Sequence, residues 1–169
     1  MKPGRAVGHP LPVLTVTRAI GAIALLVVAG VHLEQYTVAH FSVIPTIGPL
    51  FLVNFIAATS LGLLLLIPIR RSDSRGRLLF DSLAAVSGLA VAVGALAALL
   101  ISEHRPLFGF MEHGYRLEIV IAIASEAVAI ASLGAFLAIA DRRAHEMRAR
   151  PVTRDEAANA ACTDTASEA

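Results

Sequence analysis

The sequence has no tryptophan, a single cysteine (Cys162), and charge on only 16% of its 169 residues. One cysteine allows neither an internal disulfide nor a thiolate metal cluster. Soluble domains carry roughly 25% charged residues, so the shortage of charge argues against an ordinary soluble enzyme. The net charge of +1 removes any bulk electrostatic case for binding nucleic acid. Aromatics are scarce at 5%. Both tyrosines, Tyr36 and Tyr115, fall beside expected membrane boundaries, where a ring with one wet end is well placed. No nucleophile motif is present and no serine stands beside a His–acid pair, which makes a hydrolase a weak reading.

What the sequence does have is apolar length. Hydrophobic residues make up 56% of the chain, and the mean hydropathy is +0.72. Four apolar stretches, at 13–33, 47–69, 79–101 and 117–140, each reach the length of about 20 residues that a helix needs to cross a bilayer. The expected fold is an all-α membrane protein, a four-transmembrane-helix bundle spanning 1–150. Residues 151–169, rich in Ala, Thr, Asp and Glu, read as a flexible tail. Of the 14 Lys and Arg residues, all but Arg105 and Arg116 lie before or at the start of span one, between spans two and three, or after span four. That asymmetry predicts cytoplasmic N- and C-termini and two outer loops, in a multi-pass protein of the cell (inner or plasma) membrane. Residues 1–29 also have the profile of a signal peptide, but Gly30-Val31-His32-Leu33 continues the apolar helix and favours a retained span.

Spans and loops carry distinct marks. Residues 1–12 hold three prolines and read as irregular, and Arg18, one turn into span one, can snorkel to the cytoplasmic headgroups. Pro49 falls in the first turn of span two, where a missing N–H costs least, and Pro68 signals that span's end. Span three is built from small residues, among them Ala84, Ala85, Gly88, Ala92, Gly94 and Ala98. Close backbone approach drives helix association in lipid, so span three is expected to touch its neighbours over much of its surface or to form an oligomer seam. In the third connection Leu107, Phe108, Phe110 and Met111 are apolar and would dip into the interface or fold over the bundle mouth as a lid.

The polar residues concentrate at the outer face. His32, His40, His104 and His113 fall there, with Glu34, Glu103, Glu112 and Glu118. Histidines and carboxylates suit Zn²⁺, Cu²⁺ or Fe²⁺, and the candidate ligands are His32, His104, His113 and Glu112; their spacing matches no specific zinc signature. His32 and Tyr36, four apart, would share a helix face. Deeper down, Glu126 lies about 13.5 Å below Leu117 at 1.5 Å per residue, near the middle of a ~30 Å hydrocarbon core. A carboxylate there costs about 2.5–3.5 kcal/mol on insertion scales, so Glu126 should face the bundle and be protonated or paired. Glu118, Ala122 and Glu126 can line one stripe, with Asn54 facing it and His32 at its outer end. The functional expectation is an outward-opening cleft in which His32, Tyr36, Asn54, Glu118 and Glu126 bind a cofactor. The structural alternative is a buried hydrogen bond from Glu126 to Asn54 or Ser87. Glu126→Gln should preserve folding and abolish binding or activity.

In its first hairpin the chain resembles the DoxX-like group of small four-helix membrane proteins. The resemblance rests on Thr17-Arg18-Ala19-Ile20-Gly21, Ala29-Gly30-Val31-His32-Leu33 and Pro45-Thr46-Ile47-Gly48-Pro49. The chain departs from that group in having His32 where Lys is common and Asn54 near where Glu is expected. The resemblance implies association with quinone or respiratory redox systems. The functional expectation is therefore an accessory subunit of a membrane redox system that holds a metal ion, haem or quinone. A small proton- or cation-coupled transporter built around Glu126 is the second reading. The third is a structural partner of another membrane protein, or a homo-oligomer, joined through span three.

Overall fold

The computed structural model describes residues 10–67, 74–108, 111 and 116–149. Four long helices account for nearly all of them: α1 (Pro10–Thr37), α2 (Ile47–Leu66), α3 (Ser74–His104) and α4 (Leu117–Ala149). A short 3₁₀ turn, Phe41–Val43, joins α1 to α2. No strand forms among the described residues. All four helices contain segments long and apolar enough to cross a membrane.

The helices run longer than the apolar stretches in three of four cases. α1 begins at Pro10, so Pro10 and Pro12 belong to its first turn rather than to an irregular leader. A proline there loses an N–H that has no helical partner anyway. α3 begins at Ser74 and takes in Arg75 and Arg77, ahead of the apolar stretch that starts at Leu79. α4 continues through Asp141–Arg148, because nothing in that polar stretch breaks a helix. α2 is the exception and ends at Leu66, three residues early; Ile67 is extended (φ −69°, ψ 121°), the conformation favoured before a proline.

Each helix touches the next around a ring, α1–α2–α3–α4–α1, with α2 and α4 on opposite corners and out of contact. α1 and α3 meet only narrowly across the other diagonal. Sharing between α1 and α2 and between α1 and α4 is broadest, and the α2–α3 side is the slackest of the four. We call the end carrying the 3₁₀ turn the rim and the opposite end the base. Apolar packing fills the base and the middle, where Leu25, Leu65, Leu133 and Phe136 are fully enclosed among Ala22, Ala85, Ala92 and Ala129. Gly21 makes the tight α1–α4 approach: a Cβ there would lie 2.5 Å from the Leu133 side chain.

Two expectations about packing need correction. α3 packs along one face only (Ala84, Ala85, Gly88, Ala92 and Ala95), while Leu83, Val86 and Val93 stand exposed on the other. The ring order gives α3 two full neighbours, so its small residues cannot all be covered within one chain. Arg18 turns inward rather than to a headgroup, and its Nη1 donates to Asp81 Oδ2 of α3 at 2.9 Å. This pair spans the diagonal near the base.

Candidate functional site

The rim half of the bundle is hollow. A partly open cavity of about 120 Å³ lies between all four helices. Its apolar wall comes from Val31, Ile47, Leu50, Phe51, Ala95, Ala98, Leu99, Ile119 and Ala122, with Leu107 from the loop beyond α3. Into it project His32, Gln35, Asn54, Ser102, Glu118 and Glu126. The hollow follows from the sequence: at this level α3 presents alanines, and α4 presents Ala122 between two glutamates.

One side of the cavity is a preset hydrogen-bond relay. His32 is buried, and its Nδ1 donates to the Val28 carbonyl one turn back at 2.8 Å. Asn54 Nδ2 of α2 donates to the other ring nitrogen, Nε2, at 3.1 Å. A carbonyl only accepts, so these two contacts together hold the imidazole as its Nδ1–H tautomer. Phe51 packs on His32 with centroids 5.4 Å apart, and Phe41 of the 3₁₀ turn stacks on Phe51 at the same separation. An aromatic column thus runs from the connecting turn down to the buried histidine.

Glu126 lies deeper in the cavity. It is 1% exposed, and its Oε2 is buried with no hydrogen-bond partner among the described residues. Neither structural partner expected for it is used. Asn54 is committed to His32, and Ser87 lies on the exposed side of α3. Ser125, next along α4, bonds the Ala122 carbonyl of its own helix. A buried polar atom without a partner is costly in any fold, by about 1–3 kcal/mol. Glu126 is also among the residues that line the cavity, so a guest in that space would lie beside its carboxyl group.

The expected site residues divide as follows. His32, Asn54, Glu118 and Glu126 all line the one cavity, and Glu118, Ala122 and Glu126 form the expected stripe on α4. Tyr36 is not among the lining residues. Gln35 takes that place, since a buried residue three after His32 shares its face as readily as one four after it. Ser102 was also missed; it lines the cavity while its Oγ bonds Leu99 O, the kind of self-satisfied serine that sequence alone does not distinguish from a boundary residue. His104 is exposed, with Nδ1 on the Leu100 carbonyl at 2.9 Å, and stands outside the cavity. Glu112, His113 and Phe110 lie outside the described residues. Leu107 reaches the cavity mouth, whereas Phe108 (64% exposed) does not cover it.

The donor set bears directly on what could be held. Among the described residues no group of three or more His, Cys, Asp or Glu side chains is placed to hold a metal ion. His32 has both ring nitrogens engaged. The cavity is close in size to the ~150 Å³ hole that accepts one benzene ring in a protein core. That is room for one small ring, with any substituents reaching into the open side, and far too small for a haem. No protein-family model, curated protein or solved structure matches the chain.

Proposed function

We propose that this is a four-span protein of the cell membrane that binds the head group of a lipid-soluble ring compound, a quinone, as an accessory to a membrane redox system. The observation that carries the reading is the pairing of a ring-sized apolar cavity with the unpartnered Oε2 of Glu126. A quinone head is flat and apolar across its faces, with carbonyl oxygens at opposite edges. Phe51, Ile119 and the α3 alanines suit its faces. The acid form of Glu126 suits one oxygen, and the Asn54–His32 pair lines the same space, while the Gln35 amide is engaged by Glu34 at 2.6 Å. The resemblance of the first hairpin to DoxX-like proteins points the same way.

In the proposed topology both termini are cytoplasmic and the rim faces outward. The mouth near Glu118 and Ser102 then gives protons a polar way to Glu126, while the base is closed by packed leucines and Phe136.

The test is direct binding of a tail-less dimethoxy-methyl-benzoquinone to the purified full-length protein. Glu126→Gln should leave the melting temperature unchanged and weaken binding about tenfold, because an amide replaces a stronger acid donor. Glu126→Leu should weaken it further while leaving the fold as stable or more so, since a costly buried group is gone. Unaltered binding in both variants would remove the reading.

A further inference from the structure

The cavity is too small for the whole of a lipid-soluble quinone. At about 120 Å³ it holds the ring and leaves no room for a prenyl tail. Any tail must therefore leave the bundle, either upward through the rim or sideways between two helices.

The α2–α3 side offers the sideways route. It is the slackest of the four helix–helix contacts, and α2 is the least buried of the four helices. Helical spacing puts Leu50 and Asn54 of α2 on the flank turned toward α3, beside Leu61, which packs on the central core. On α3 the flank turned toward α2 is marked by Val91, which packs on Val28, Ala29 and Ala58. One, two and three turns nearer the rim the same flank carries Ala95, Ala98 and Ser102, all small and all lining the cavity. Leu50 lines the cavity and is also 45% exposed on the outside of the bundle. A residue that does both stands at an opening of the cavity, and Leu50 lies in the first turn of α2, at the rim end of the α2–α3 side. The slot thus has a floor at Val91, small residues along one edge, and Leu50 standing at its opening.

Both sides of α1 are tightly packed just below the cavity. Leu25, Leu133 and Gly21 close the α1–α4 contact, and Phe55, Ala58 and Gly62 close α1–α2. At the rim, the Phe41–Phe51–His32 column and Leu107 narrow the upward route.

We infer that the slot between α2 and α3, bounded by Leu50 and Ala98, is a lateral portal through which the apolar tail of the bound ligand passes into the bilayer. The inference rests on the quinone reading and deepens it by making the ligand a tailed, membrane-resident molecule that enters from lipid rather than from water.

The experiment uses the full chain in nanodiscs and a benzoquinone carrying a decyl tail with a diazirine near the ring. After irradiation, adducts are mapped by mass spectrometry, with excess tail-less quinone as competitor. Adducts concentrated on Leu50–Asn54 and Ala95–Ser102, and suppressed by the competitor, are expected. Competitor-sensitive adducts on Phe41–Val43 or around Leu107 would mean that the tail leaves through the rim, and would overturn the portal while leaving the ring site standing. Labelling that ignores the competitor would overturn both. A second measurement uses Ala98→Phe, which fills the slot. The tailed quinone should lose at least tenfold in affinity relative to the tail-less one; equal effects on the two would count against the portal.

Discussion

At the scale of single residues, the site is a contrast between a satisfied imidazole and an unsatisfied carboxyl. His32 has a partner for each ring nitrogen, so its tautomer is set by Val28 and Asn54 before any ligand arrives. ¹⁵N NMR of the imidazole should find Nδ1 protonated and Nε2 bare. Asn54→Leu should remove about 1 kcal/mol of stability, the usual worth of one such hydrogen bond, and release the Nε2 resonance from that position. An unchanged spectrum would mean that the pair does not form in the membrane. The sequence made the buried acid legible because a carboxyl at mid-span is rare and expensive. It did not show that Asn54 serves His32 rather than Glu126, since both lie within reach of one α2 side chain. The choice between them depends on how the helices rotate against one another, and single-helix periodicity carries no information on that. Gln35 lines the cavity in place of Tyr36 for the same reason.

At the scale of elements, the first hairpin is held by contacts that give particular residues of the α1–α2 connection a structural reason. Gly48, in the first turn of α2, faces backbone: a Cβ there would come within 2.8 Å of the Phe41 carbonyl and 3.0 Å of Ser42. Backbone atoms cannot swing aside as a leucine tip can. Gly48→Ala should therefore displace the 3₁₀ turn, unstack Phe41 from Phe51 and loosen the cavity's aromatic wall. The expected cost is about 1–3 kcal/mol in stability, read from thermal unfolding, with weaker ring binding. Arg18 and Asp81 form the other defining contact. Removing either partner, as in Arg18→Leu or Asp81→Leu, strands a largely enclosed charge and should cost about 2–4 kcal/mol, whereas the double variant should recover most of that loss. Additive losses would show that the pair is not coupled. Span existence and order were plain from apolar length, whereas helix ends were not, because polar turns at Ser74–Arg77 and Asp141–Arg148 continue a helix that apolar counting stops.

At the scale of the molecule, the arrangement is a ring of four helices, solid at the base and hollow at the rim. The proposed orientation follows from where arginine lies, and reporter fusions check it: alkaline phosphatase joined after Arg148 should be inactive and a cytoplasmic fluorescent protein there bright, with the reverse for insertions between Ala39 and Ser42. The hollow itself was legible only as a list of polar residues near one boundary. Its shape depends on how four helices set the alanines of α3 and Ala122 of α4 around one space, which no single stretch of sequence states. The diagonal link between Arg18 and Asp81 has a mechanical consequence. It clamps opposite corners of the ring within the base half of the solid core, far from the hollow end. The molecule is therefore built like a clothes peg, sprung at one end with its jaws at the other. Amide exchange should be slowest around Ala22, Ala85 and Leu133 and quicken steadily toward Asn54 and Ser102, so that a guest can spread the jaws without straining the spring.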